Sequence, residues 1–78
     1  MEKIADRIAK DIRKFSENVR ILDEHKLGPK ELEIVRLAKN YSDDAGSWLE
    51  KKKYHNAFAS ISYAHGLLDA LLKLNSEE

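Results

Sequence analysis

The sequence contains no cysteine among its 78 residues, and it has only one proline and three glycines. A chain without cysteine forms neither disulfides nor thiolate metal sites, and such a composition fits a reducing cytoplasm. Scarce helix breakers beside abundant Lys, Glu, Leu and Ala favour helix along the whole chain. The composition therefore predicts an all-α protein located in the cytoplasm.

Long apolar runs and an excess of one charge are also missing. No apolar run approaches the ~20 residues that span a membrane, and residues 1–10 carry charges where a signal peptide needs an apolar region. Lysine plus arginine equals aspartate plus glutamate, with 14 of each. Because nucleic-acid-binding domains usually have a basic excess, we expect neither a membrane nor a nucleic acid as partner.

The first segment, residues 2–25, has the period of an amphipathic helix. Its apolar residues recur at every third or fourth position: Ile4, Ile8, Ile12, Phe15, Val19 and Leu22. This spacing places them on one stripe of a helix, opposite a charged face.

A second helix is predicted over residues 29–51. Pro29 suits the first helical position, and Gly28 suits the N-cap before it. The apolar stripe of this helix consists of Ile34, Ala38, Tyr41, Ala45, Trp48 and Leu49, with Val35 beside it.

A third helix, predicted over residues 54–74, is apolar around most of its circumference. Its first apolar face consists of Tyr54, Ala57, Ile61, Ala64, Leu68, Leu71 and Leu72. A second face, roughly 120° to 140° away on the helical wheel, consists of Tyr63, Leu67, Ala70 and Leu74, with Gly66 near it. Only Asp69 and Lys73 are charged between residues 54 and 74. Such a helix needs cover on more than one side, so we expect it to be the central one.

The second and third helices are predicted to be separate although no proline or glycine divides them. On one unbroken helix their apolar stripes would point roughly 145° apart, and no single core would bury both. A break within residues 50–53 removes this conflict and gives an antiparallel hairpin. The sequence therefore predicts one domain over residues 1–78, an up-down-up three-helix bundle, with residues 75–78 as a frayed tail.

Several residues around the hairpin form a recognisable pattern. They are Asp44, Ala45, Leu49 and Glu50 before the turn and Tyr54, Ala57, Phe58, Ser62, Tyr63, Ala64, His65, Gly66, Leu68, Asp69 and Ala70 after it. The stretch 41–74 that contains them resembles a family of short archaeal proteins known as domain of unknown function 357. The resemblance implies a three-helix bundle from an archaeal cytoplasm and implies no activity. Where we expect glycine followed by Asp or Asn at the turn, this chain has Lys52 and Lys53, and lysine in a left-handed conformation carries a steric cost.

One pair of residues is suited to catalysis. His65 and Asp69 are four residues apart on one edge of the third helix, and a carboxylate can orient an imidazole for base chemistry. Asp44 on the second helix is a candidate third member if the hairpin register brings it close. A half-buried structural pair explains the same spacing, and the sequence assigns no cofactor and no metal.

The pattern favours a non-enzymatic interaction module, because the second apolar face of the third helix is available for a partner. Its predicted interface residues are Tyr63, Gly66, Leu67, Ala70 and Leu74, and the predicted partner is a second copy of the chain or another helical protein. The alternative is a small metal- or nucleotide-dependent hydrolase or nuclease built on His65 and Asp69 with Asp44. A third hypothesis is an RNA-binding adaptor. The sequence leaves open whether the first helix or another molecule covers the second apolar face.

Overall fold

The computed structural model describes residues 3–22 and 24–76, which fold into three helices. They are α1 (Ile4–Arg20), α2 (Pro29–Glu50) and α3 (Tyr54–Ser76), and one turn of 3-10 helix at Glu24–Lys26 lies between α1 and α2. α1 and α3 run in the same direction. α2, which lies between them in the sequence, runs antiparallel to both. The predicted all-α, up-down-up three-helix bundle is confirmed.

The core lies where the three helices meet, and α3 contributes more of it than either α1 or α2. The buried apolar side chains are Ile8 and Phe15 of α1, Val35, Ala38 and Ala45 of α2, and Ala57, Ile61, Ala64, Leu68 and Leu71 of α3. Four of them are alanines on α2 and α3, and small side chains let two helices approach closely. The hairpin of α2 and α3 accordingly has the most extensive packing in the bundle.

Both ends of α2 follow local sequence signals. Gly28 is the N-cap and Pro29 is the first helical residue, as predicted, and the backbone N–H of Leu32 donates to the carbonyl of Gly28 at 3.0 Å. At the other end Lys52 has a positive φ of 61°. This left-handed residue reverses the chain between α2 and α3.

The ends of α1 and α3 differ from the predicted ranges. α1 ends at Arg20 and not near residue 25, because Leu22 turns out of the helix, donating its N–H to the carbonyl of Val19 at 3.1 Å, and still packs against the core. α3 continues through Ser76, and the sequence after Leu71 contains no proline or glycine that would end it. Residues 75 and 76 are therefore helical and not part of a frayed tail, while residues 77 and 78 lie outside the described part.

The buried stripes also differ in detail from the predicted ones. On α2 the buried residues include Val35 and Ser42, whereas Ile34 is only half-buried, because α1 lies against the side of α2 that carries Ser42. On α3 Leu72 is 38% exposed. Leu71 beside it is 2% exposed, so the core takes Leu71 and leaves Leu72 at the edge of the first apolar face.

Candidate interaction surface

One face of α3 is uncharged and open along its length. Residues at alternating spacings of four and three define it: Asn56, Ser60, Tyr63, Leu67, Ala70 and Leu74. The side chain of Tyr63 is 53% exposed and that of Leu74 is 62% exposed. Ala70 is also exposed, and Leu67 is half-buried against the edge of the core. The second apolar face predicted for this helix therefore meets solvent in the isolated chain.

α2 extends this face across the hairpin. The ring of Tyr41 packs on the ring of Tyr63, with 4.5 Å between the ring centroids and an angle of 43° between the planes. Because α2 and α3 are antiparallel and rise equally per residue, this contact places Leu37 level with Leu67 and Ile34 level with Ala70. Leu37 is 44% exposed.

We call this combined surface the outer face. It consists of Ile34, Leu37 and Tyr41 of α2 and Tyr63, Leu67, Ala70 and Leu74 of α3. Of the predicted interface residues, Gly66 lies at its edge, where a Cβ atom would meet nothing within 4 Å. Sequence reasoning missed the α2 half, although residues 30, 34, 37, 41 and 44 repeat the same spacing of four and three.

α1 packs on the opposite side of the hairpin. The Nε2 atom of His65 lies 2.9 Å from the backbone carbonyl oxygen of Asp11 on α1 and donates to it. The His65 ring also meets the ring of Phe15 edge-on, with 5.7 Å between the centroids. Since these contacts occupy the other side of α3, α1 leaves the outer face open.

Two opposite charges flank the outer face along α2. Lys30 precedes Leu37 by seven residues and Asp44 follows it by seven, so helical spacing places both on the same line of α2 as Leu37. Both side chains are exposed. The outer face thus carries a cation toward one end and an anion toward the other.

A second feature is a polar cleft between α1 and α3. Its lining residues are Asp11, Lys14 and Asn18 of α1 and Ser62, His65, Gly66 and Asp69 of α3, and its volume is about 490 Å³. The structure therefore brings His65 and Asp69 to one cleft. Asp44 does not line that cleft, because it lies on the line of α2 that borders the outer face.

Residues 10–76 match the family described as "Protein of unknown function (DUF357)". The match includes all of α2 and α3 and most of α1. The chain belongs to the DUF357 family. The comparison of this DUF357 protein with curated proteins gave no significant match.

The cleft of the DUF357 chain offers limited chemistry. Because Nε2 of His65 donates to the Asp11 carbonyl, Nδ1 is the ring nitrogen left to accept a hydrogen bond. Within residues 3–22 and 24–76, no three His, Asp or Glu side chains are grouped so that they could hold a metal ion. None of the described helices of this DUF357 protein combines the length and the apolarity needed to cross a membrane.

Proposed function

We propose that this DUF357 protein is a non-enzymatic interaction module that pairs with a second copy of itself through the outer face. The observation that supports this proposal best is the open apolar surface on the side of the hairpin away from α1. Contiguous apolar surface of this kind marks interaction sites on small proteins. Burying it stabilises an assembly by roughly 25 cal/mol for each Å² of apolar area removed from water.

The dimensions of the bundle suit such an interface. The bundle is 40 Å long and 22 Å wide, and the outer face follows its long axis. A standard interface buries about 800 Å² on each partner, an area of the same order as one broad side of this bundle. Pairing would also enlarge the modest core of a 78-residue chain, for which added burial has a large effect on stability.

A second copy is the occupant that the charges of the outer face favour. In a twofold-symmetric pair both copies use the same surface, and wherever one residue meets another across the axis the reverse contact also forms, so a surface must complement itself. The outer face has an apolar centre with Lys30 on one side and Asp44 on the other, and both side chains are exposed. A surface with opposite charges at equal distances from its centre satisfies this condition.

Substitution of Leu67 by glutamate tests the proposal. We expect the wild-type chain to have twice its monomer mass in solution, and Leu67→Glu to dissociate it while far-UV helicity is retained, because a carboxylate would be buried in an apolar interface. Since Leu67 also touches the core, Leu74→Glu serves as a second variant at a side chain that is 62% exposed. Light scattering behind a sizing column gives the mass.

Phe58→Glu is the matched control for this experiment. Phe58 is a 42% exposed apolar residue of α3, but it borders α1 beside Ile4 and Arg7 and lies off the outer face. It should leave the mass unchanged. A wild-type monomer, or a dimer that both Leu67→Glu and Leu74→Glu leave intact, would contradict the proposal; a mass change only with an added helical protein would assign the face to a different partner.

The polar cleft supports a second candidate function, a small hydrolase or nuclease. The supporting observation is that His65, Asp69 and Ser62 line one cleft. For this candidate His65→Ala should abolish a turnover that Leu67→Glu leaves unchanged. An enzyme assay with nucleotide and phosphoester substrates, with and without divalent cations, tests it, and no turnover above buffer would contradict it.

Two further expectations stay predictions. If the chain is an RNA-binding adaptor, it should form a complex with RNA, and the affinity of that complex should fall steeply as the salt concentration rises. The cytoplasm stays the predicted compartment.

A further inference from the structure

We propose that two copies pair about a twofold axis that crosses the helices of the outer face at right angles, at the level of Leu37 and Leu67. In this arrangement α2 lies over α2 of the second copy, and α3 lies over α3 of the second copy. The inference rests on the proposed function, since it specifies how the outer face would meet its own copy. It also names the residues that set the register.

A twofold pair of flat faces has two simple solutions. If the axis runs parallel to the helices, α2 of one copy covers α3 of the other, and each level of the face meets the same level. If the axis crosses the helices at right angles, each helix covers the same helix of the other copy, and the two run in opposite directions. A residue on one side of the axis then meets the residue that lies equally far on the other side. The two solutions bring different residues together, so the sequence of the face decides between them.

The charges of α2 favour the crossing axis. With the axis at Leu37, Lys30 of one copy meets Asp44 of the second copy, and the symmetry repeats this ion pair. With the parallel axis, Lys30 would instead meet Leu74, which lies level with it, and Asp44 would meet Ser60. Only the crossing axis gives each charge an opposite partner at the rim, where complementary charges set orientation and register.

The sizes of the apolar side chains favour the same solution. Across an axis at Leu67, Tyr63 of one copy meets Ala70 of the second copy, because these residues lie four before and three after the centre. Tyr41 likewise meets Ile34. With the parallel axis the four tyrosines of Tyr41 and Tyr63 would share one layer, while Ile34 and Ala70 would share another. A large side chain packed against a small one fills each layer evenly. Large side chains packed against one another crowd one layer and leave gaps in the next.

The result is an antiparallel four-helix core between the two copies. Its central layer contains Leu37 and Leu67 from each copy. Repeats of four and three residues on both helices are the spacing that such bundles use for their seams. α1 of each copy lies on the outside of this core, where it covers the hairpin from the other side.

Single cysteines test the register directly, because the chain has no cysteine of its own. Neighbouring helices pack about 8–10 Å apart, so a short bismaleimide can join two cysteines that face each other. We expect Leu37→Cys to cross-link with itself and Leu67→Cys to cross-link with itself. When the two variants are mixed, we expect no product that links position 37 of one chain to position 67 of the other. Arg13→Cys, at an exposed position of α1, is the control that should give no link.

Two results would overturn the register while leaving the proposed function intact. The first is cross-linking only in the mixture of Leu37→Cys and Leu67→Cys, which corresponds to the parallel axis. The second is no cross-link in any variant although the wild type is a dimer that Leu67→Glu dissociates. A wild-type monomer would overturn the proposed function and the register together.

Charge reversal provides an independent test of the ion pair. Lys30→Asp and Asp44→Lys should each weaken dimerisation roughly tenfold, because each places two pairs of like charges together. The double variant should return the dissociation constant to within about twofold of the wild type. Lys30 lies in the first turn of α2, where aspartate favours the helix, so a weaker dimer of Lys30→Asp cannot reflect poorer folding. Double-variant dimers as weak as the single variants would contradict the pairing.

Discussion

Lys52 holds a position that glycine usually occupies. Its φ is 61°, its N–H donates to the carbonyl of Leu49 at 3.0 Å, and the N–H of Lys53 donates to the carbonyl of Trp48 at 2.9 Å. These two hydrogen bonds form a Schellman motif, which satisfies the last carbonyls of a helix. Lysine completes the motif here at a steric cost, since its Cβ crowds the backbone in the left-handed region.

Lys52→Gly should therefore stabilise the chain. We expect the free energy of unfolding to rise by about 0.5–1 kcal/mol, because removal of the Cβ relieves strain by more than the unfolded chain gains in entropy. Chemical denaturation followed by circular dichroism measures it. Lys51→Gly is the control, since Lys51 has an ordinary φ of −83° and its Nζ lies 5.4 Å from the centre of the Trp48 ring. Equal effects of the two substitutions would contradict the assignment of strain to Lys52.

His65 connects α3 to α1 through two contacts on one ring. It donates to the Asp11 carbonyl and meets Phe15 edge-on, and Phe15 is 2% exposed. A half-buried histidine with these contacts has a structural role whether or not its free nitrogen does chemistry.

His65→Ala should lower the free energy of unfolding by about 1–3 kcal/mol, the sum expected for one hydrogen bond and one aromatic pair. Asp69→Ala, at an exposed position of the same cleft, should change it by less than about 0.5 kcal/mol. Denaturation midpoints of the two variants give the comparison. A fully stable His65→Ala variant would show that these contacts do not hold α1 in place.

At the scale of the helices, the sequence predicts the elements better than their ends and buried sides. Each helix has an uninterrupted period, and Gly28 with Pro29 marks the start of α2, so these features follow from local chemistry. The end of α1 at Arg20 does not, because tertiary packing of Leu22 decides it. The burial of Ser42 in place of Ile34 likewise depends on the side from which α1 approaches.

α1 is the helix least integrated into the bundle. Its buried side chains are Ile8 and Phe15, whereas the hairpin contributes the remaining core residues. Local opening is easiest where the least apolar surface is buried. α1 should therefore open before the hairpin does.

Native-state hydrogen exchange measured by NMR tests this order. We expect the slowest amides in α3 between Ile61 and Leu68, where the core is densest, and faster exchange through the middle of α1. The difference should correspond to a lower opening free energy for α1. Amides around Ile8 and Ile12 that exchange as slowly as those of α3 would instead indicate that the three helices open together.

At the scale of the whole molecule, the outer face illustrates what a helical wheel leaves open. The wheel of α3 identifies Tyr63, Leu67, Ala70 and Leu74 as a second apolar face. It gives neither the axial register of the hairpin, which the contact of Tyr41 with Tyr63 establishes, nor the side on which α1 packs. For the same reason the sequence groups Asp44 with His65 and Asp69 as candidates, while the fold places Asp44 beside the outer face.

The mass of the wild-type chain in solution tests the central claim most directly. Light scattering behind a sizing column, over a range of concentrations, should give about 18 kDa, twice the 9.0 kDa of one chain, with a decline toward the monomer on dilution. This result is expected because pairing removes the outer face from water. A mass of 9.0 kDa at every concentration would contradict self-pairing through this face.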